Sequence, residues 1–149
     1  MTDDQFTALW VKLVNKKHKE PENPLTEAER HFYAVNLLRG SVPRSGLLGF
    51  FENYTAADIR AAHAALPVLK LNDVLELLER AQAIALQGQP LPEGDEQPEL
   101  YSKELNEEEY GKAMDQLDQE MQPVEDAFSP LDDRIFETLC RFAEEHGLA

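Results

Sequence analysis

Apolar residues recur at intervals of three and four along nearly the whole chain, and that period belongs to helices. Phe6, Leu9, Trp10, Leu13 and Val14 form a first stripe. The run Lys16-Lys17-His18-Lys19 follows it, where a helix dipole favours cations, and Pro21 and Pro24 then break the pattern. Thr26 and Glu29 have the spacing of a capping box that opens a second helix through Phe32, Val35 and Leu38. Gly40 is placed to end that helix, and Ser41 to Gly46, with Pro43, reads as a turn. Leu47, Leu48, Phe50 and Phe51 make a dense apolar knot closed by Asn53-Tyr54. Thr55 and Asp58 repeat the capping box before Ile59, Ala62 and Leu66, with Pro67 as the stop. A further helix starts at Lys70 or Asn72 and carries Val74, Leu75, Leu77, Leu78, Ala81 and Ile84 inward before Gly88.

Residues 89–98 break the periodicity with Pro90, Pro92, Gly94 and Pro98, and read as a Pro-rich internal loop. Beyond it, Leu105 to Met121 predicts a helix with a sparse apolar edge of Tyr110, Met114, Leu117 and Met121, ended by Pro123. Ser129-Pro130 offers a cap and a first-turn proline for a last helix, whose inner face is Ile135, Phe136, Leu139, Cys140 and Phe142. No run alternates at period two for long enough to be a strand. The pattern predicts an all-α fold: a single-domain helical bundle of about six or seven helices over residues 1–149. At 149 residues and 42% apolar content the chain is long enough for one packed core.

Charge changes this picture more than composition does. Residues 1–89 carry eleven acids and ten bases, whereas residues 90–149 carry eighteen acids and four bases. Nearly all of the net charge of −15 therefore belongs to the C-terminal two-fifths, and the helical part from 99 to 149 is expected to present an acidic face. Such a field favours a basic protein surface as partner and disfavours direct nucleic acid or anionic lipid. The acids at Asp3 and Asp4 stand where a signal peptide needs bases, and no apolar run approaches a membrane span. With a lone cysteine, Cys140, the expectation is a cytoplasmic protein, and Cys140 reads as a small core hydrophobe.

Catalytic chemistry has little support in the sequence. His18, His31, His63 and His146 fall on four separate predicted helices, without ligand-spaced partners for a metal. Glu27 and His31, four apart, read as a surface pair. Gly46-Leu47-Leu48-Gly49 lacks the lysine of a phosphate loop, Ser45 has no base near it in sequence, and Asp115, Asp118 and Glu120 do not follow a calcium-loop spacing. No cofactor is implied, and the expectation is a non-enzymatic protein.

The acids themselves are the remaining clue. Thirteen acids and two lysines lie between Glu93 and Asp126. By the three-four rule Glu104, Glu107 and Glu108 are expected on one helix face, extended by Asp115 and Asp118. Carboxylates four apart on a helix lie about 6 Å apart along its axis, a charge density comparable with that of a DNA strand. A solvated face that keeps the protein soluble is the plain alternative. The functional reading is that Glu104, Glu107, Glu108, Asp115 and Asp118 dock on a basic surface, one built for nucleic acid being a natural candidate. An immunity or antitoxin-like inhibitor of a toxin shares that face, and an enzyme assembled in three dimensions around His31, His63 or Ser45 is a third reading.

Gly46-Leu47-Leu48-Gly49-Phe50-Phe51-Glu52-Asn53 resembles, in degenerate form, a Gly-Gly-Phe, two-aromatic, Asn motif. That motif is typical of a bacterial all-helical family related to DNA-mimic protein. Ala64-Ala65-Leu66 with the helix from Asp73 to Ala81, and Leu131-Asp132-Asp133-Arg134-Ile135-Phe136, resemble the family's later elements. Ser45, Leu47 and Gly49 depart from its usual residues. The resemblance extends over roughly residues 27–146 and implies a helical, dimer-capable binding protein. Physically the motif reads as packing: Gly46 for a tight turn, Phe50 and Phe51 for the core, Asn53 for turn closure.

Overall fold

Four of the helices start where side chains can satisfy their first amides. The computed structural model describes residues 1–101 and 104–148. In it α1 (Asp3–Lys19), α2 (Glu27–Asn53) and α3 (Ala56–Val68) all open with capping boxes, from Thr2 and Gln5, Thr26 and Glu29, and Thr55 and Asp58. They are followed by α4 (Asn72–Ala85), α5 (Glu107–Phe128), a 3-10 turn over Ser129–Leu131, and α6 (Asp132–Glu145). No strand occurs among the described residues. The fold is all-helical, and one cluster of buried residues draws on all of these α-helices.

The boundaries between helices differ from those expected. Residues expected as a helix, a turn and an apolar knot form one long kinked element, α2, which touches every other α-helix and is the spine of the bundle. Gly40 does not end it. The break comes at Gly46, with φ 74° and ψ 177°, a conformation that essentially only glycine adopts. Phe32, Leu38, Leu47, Phe50 and Phe51 are all fully or almost fully buried, so both arms of α2 serve the same core. Continuing the helix through exposed Pro43 lets them do so.

A helix that restarts after a break lacks carbonyl partners for its first amides. The amide of Leu47 instead donates to Glu125 Oε1 at 2.8 Å, a contact across 78 residues. An added Cβ at Gly46 would lie 2.4 Å from that same oxygen. The acidic helix α5 is thus fastened to the spine at the kink.

Two further expectations are corrected. Pro123 does not end α5, which runs on to Phe128; its missing amide lies on the exposed side, where water can bond the freed carbonyl. Ser129 does not cap the last helix either, since its hydroxyl donates back to the Glu125 carbonyl, and α6 begins at Asp132. The Pro-rich segment 89–98 is held against α3: Arg60 donates to the carbonyls of Pro92 and Gly94, and the Ala56 amide donates to Glu96 O at 2.7 Å.

Ion pairs tie the remaining elements together. Arg39 lies over the Phe136 ring at 4.9 Å and meets Asp132 at 3.0 Å, joining α2 to α6. Lys16 meets Glu29 at 2.6 Å with both side chains largely buried. Burial pushes the Glu29 carboxyl up, but the Lys16 ammonium and the Thr26 donors outweigh it and hold the pKa below its usual value. The folded state therefore binds fewer protons here than the unfolded chain, and this contribution is present above the unfolded value of 4.5 and lost as pH falls through the folded one. Glu29→Gln, which leaves Lys16 without its counter-charge, is expected to lower stability by about 2 kcal/mol at pH 7. Urea midpoints measured from neutral to acid pH should show that gap narrowing toward the acid end. A gap of constant size would refute the ion-pair assignment.

Candidate functional site

The buried side of α5 defines its exposed side. Leu117, Met121, Val124 and Phe128 are buried, so with a turn every 3.6 residues the opposite ridge runs through Glu108, Asp115 and Asp126. Glu107 and Asp118, eleven apart, share a flank with Glu125. All but Glu125 of these acids are exposed. The five acids singled out in the sequence are therefore not one row. Glu108 and Asp115 stand on the outer ridge, and Glu107 and Asp118 on the flank nearer the end of α2. Glu104 is exposed but precedes the helix, because Asn106, not an earlier residue, is the N-cap.

Much of the surrounding charge is engaged within the fold. Glu109 closes the capping box by accepting the Asn106 amide at 3.4 Å, Glu125 holds the Leu47 amide, Asp132 meets Arg39, and Glu144 accepts from the Met1 amine at 2.7 Å. Glu107, Glu108 and Glu109 also occupy the first turn of α5, where the helix dipole welcomes carboxylates. Their mutual repulsion is partly offset by that effect and, for Glu108, by Lys112 at 3.3 Å. Over its 22 residues α5 carries eight acids and one base, Lys112. Its length of about 33 Å is close to one turn of duplex DNA.

A concavity lies in the neutral half. It measures about 650 Å³ and is lined by Lys16, Lys17, His18, Arg30, Tyr33 and Asp58, among others. Its polar groups satisfy one another. Lys17 meets Asp58 at 3.0 Å and lies 4.4 Å from the Tyr33 ring centre, His18 Nε2 is 3.3 Å from the Tyr33 hydroxyl, and Arg30 donates to Leu25 O. Burial first, then the charge of Asp58, pushes the Tyr33 hydroxyl up to about 12, so it stays protonated at neutral pH.

None of His31, His63 and Ser45 lines this cleft. His31 stands 3.6 Å from Glu27, His63 is 2.6 Å from Gln82, and the Ser45 hydroxyl donates to the Ser41 carbonyl. The convergence that an enzyme built on those three groups requires is not present. Among the described residues no three His, Cys, Asp or Glu side chains come together to hold a metal, and no helix is long and apolar enough to cross a membrane. Cys140 packs against the core, and burial pushes its thiol pKa up.

The family model of the DMP19-like protein matches residues 23–146. The chain belongs to the DMP19-like family. The match takes in the kinked motif, α5 and α6, and leaves α1 outside. Comparison with curated proteins and with solved structures gives no match. DMP19-like proteins are a DNA-mimic family, and membership supports, at the family level, a protein-binding module of the DNA-mimic type. Within this DMP19-like chain the motif Gly46–Asn53 has a structural part: Leu47, Leu48, Phe50 and Phe51 are buried, and Gly46 receives Glu125. Periodicity alone missed three groups beside the acidic flank. They are Tyr101, whose hydroxyl donates to Glu52 at 3.3 Å, Glu52 itself, and Tyr110, which the apolar pattern assigns to the core but which is 44% exposed.

Proposed function

We propose that the exposed acids of α5 occupy the basic surface with which a DNA-binding protein holds DNA. The observation that supports this most is the ridge and flank of carboxylates, Glu108 with Asp115 and Glu107 with Asp118, on a helix about one DNA turn long. Glu104, just before the helix, extends the charged surface at that end. Membership of a DNA-mimic family supports the same reading. A row of fixed carboxylates attracts arginines and lysines placed for phosphates. Because the attraction is electrostatic, it speeds encounter and weakens as salt rises. The protein needs no catalytic group for this role; it acts by exclusion.

The test is capture from native cell extract on the immobilised protein at low salt, followed by elution with duplex DNA. The expected result is that the retained protein is itself a DNA binder, that DNA displaces it, and that retention falls steeply with ionic strength. A single retained partner that neither DNA nor salt displaces would replace this reading with that of a toxin-directed inhibitor.

A further inference from the structure

We propose that a notch lined by two tyrosines at the N-terminal end of α5 receives an arginine side chain of the basic partner, an inference that rests on the docking role of the acidic face. The notch has a volume of about 450 Å³ and is lined by Leu100, Tyr101, Leu105, Asn106, Glu107 and Tyr110, among others. The Tyr101 and Tyr110 rings meet edge to face, with centroids 4.8 Å apart and planes at 64°. The exposed large apolar side chains among the described residues are Val11, Val68 and Tyr110, and of these only Tyr110 lies on the acidic helix.

Aromatic side chains with a partly open face are the usual anchors of protein interfaces, whereas solvated carboxylates at a rim contribute little affinity of their own. The electrostatic setting selects a cation for this anchor. Glu52 accepts the Tyr101 hydroxyl, Glu107 lines the notch, and Asp118 shares the α5 flank with Glu107. Burial, then Glu52, Tyr110 and Asp118 raise the Tyr101 pKa, so the hydroxyl remains a neutral donor and carboxylates from two helices bear on the notch. An anion would be repelled. A planar guanidinium can lie on the ring face of Tyr110 while its N–H edges meet carboxylates. An ammonium holds its water more tightly and has no flat face to stack. Arginine is also the commonest reader of guanine and of phosphate on DNA-binding surfaces, so the occupant fits the partner's chemistry.

The experiment uses the full chain and two short peptides of equal length and charge, one carrying arginines and the other lysines, with affinities read by fluorescence anisotropy at low salt. The arginine peptide is expected to bind about fivefold more tightly. Tyr110→Ala should bring the two affinities together, chiefly by weakening the arginine peptide, while Tyr110→Phe keeps the preference because the ring face remains. An NMR titration of the unaltered protein adds a readout that needs no variant: the arginine δ-methylene protons should move upfield in the ring current of Tyr110. Equal binding of both peptides, or a preference that survives Tyr110→Ala, overturns the notch while leaving the acidic face standing. Salt-insensitive binding, or none, of either peptide overturns both.

Discussion

Gly46→Ala is expected to destabilise the protein by about 3–5 kcal/mol, a large part of the stability of an ordinary domain. Two terms act at one atom. The backbone at φ 74° and ψ 177° is strained for any residue with a Cβ, by roughly 1–3 kcal/mol. The new methyl would also stand 2.4 Å from Glu125 Oε1, so the carboxylate must leave the Leu47 amide, a charge-assisted bond worth about 1.5–3 kcal/mol. Gly40→Ala is the internal control: that glycine is within the same helix with nothing inside 4 Å of an added Cβ, and the change should stabilise by about 0.5–1 kcal/mol. Urea unfolding of the three proteins measures both effects. Equal stability of Gly46→Ala and the parent would mean that α5 is not fastened at the kink.

Changing Glu107, Glu108, Asp115 and Asp118 together to their amides is expected to lower affinity for the DNA-displaceable partner by about ten- to a hundredfold. Each exposed pair contributes on the order of 0.2–1 kcal/mol, and a row of them acts on one surface. The salt dependence should flatten at the same time, because fewer charges are matched on binding. A matched variant with Asp3, Asp4, Glu20 and Glu22 changed removes the same charge from exposed positions on and beside α1, which does not pack closely on α5. It should retain affinity within about threefold, since charges farther apart than a Debye length are screened. Equal loss in both variants would mean that total charge, and not the α5 surface, governs binding. Loss of Glu107 and Glu108 also removes two favourable charges from a helix N-terminus, so a small fall in stability, of about 0.3–1 kcal/mol each, should accompany the binding effect.

The motif and the charge lie in different halves of the sequence, yet the contact between the kink and Glu125 makes them one device. Gly46 sits in the neutral half and Glu125 in the acidic half, yet the glycine is required because the carboxylate lies where its Cβ would be. The resemblance carried by Gly46–Asn53 pointed to a binding protein without indicating how a packing motif serves binding. The geometry supplies the link: the kink holds the helix that carries the acids.

Local chemistry was legible from the sequence. The capping boxes at Thr26 and Thr55 act over three residues, and the apolar period fixes which face of a helix turns inward, so all-helical architecture and the core positions follow from neighbours along the chain. The uneven charge is likewise a property of the sequence alone. What failed were readings in which a residue's usual effect competes with packing farther away. Gly40, Pro43 and Pro123 are helix breakers by propensity, yet the buried residues on either side of each keep the helix running, and the exposed prolines leave their carbonyls to water. Gly46 was legible as a turn residue, but tertiary structure alone brought Glu125 to it from 78 residues away. It alone placed Tyr101 and Tyr110 together beside the carboxylates of two helices. Sequence determines how much charge this protein carries and on which segment. Which carboxylates face outward, and what they surround, depends on contacts between residues far apart in the chain, and no local pattern encodes those.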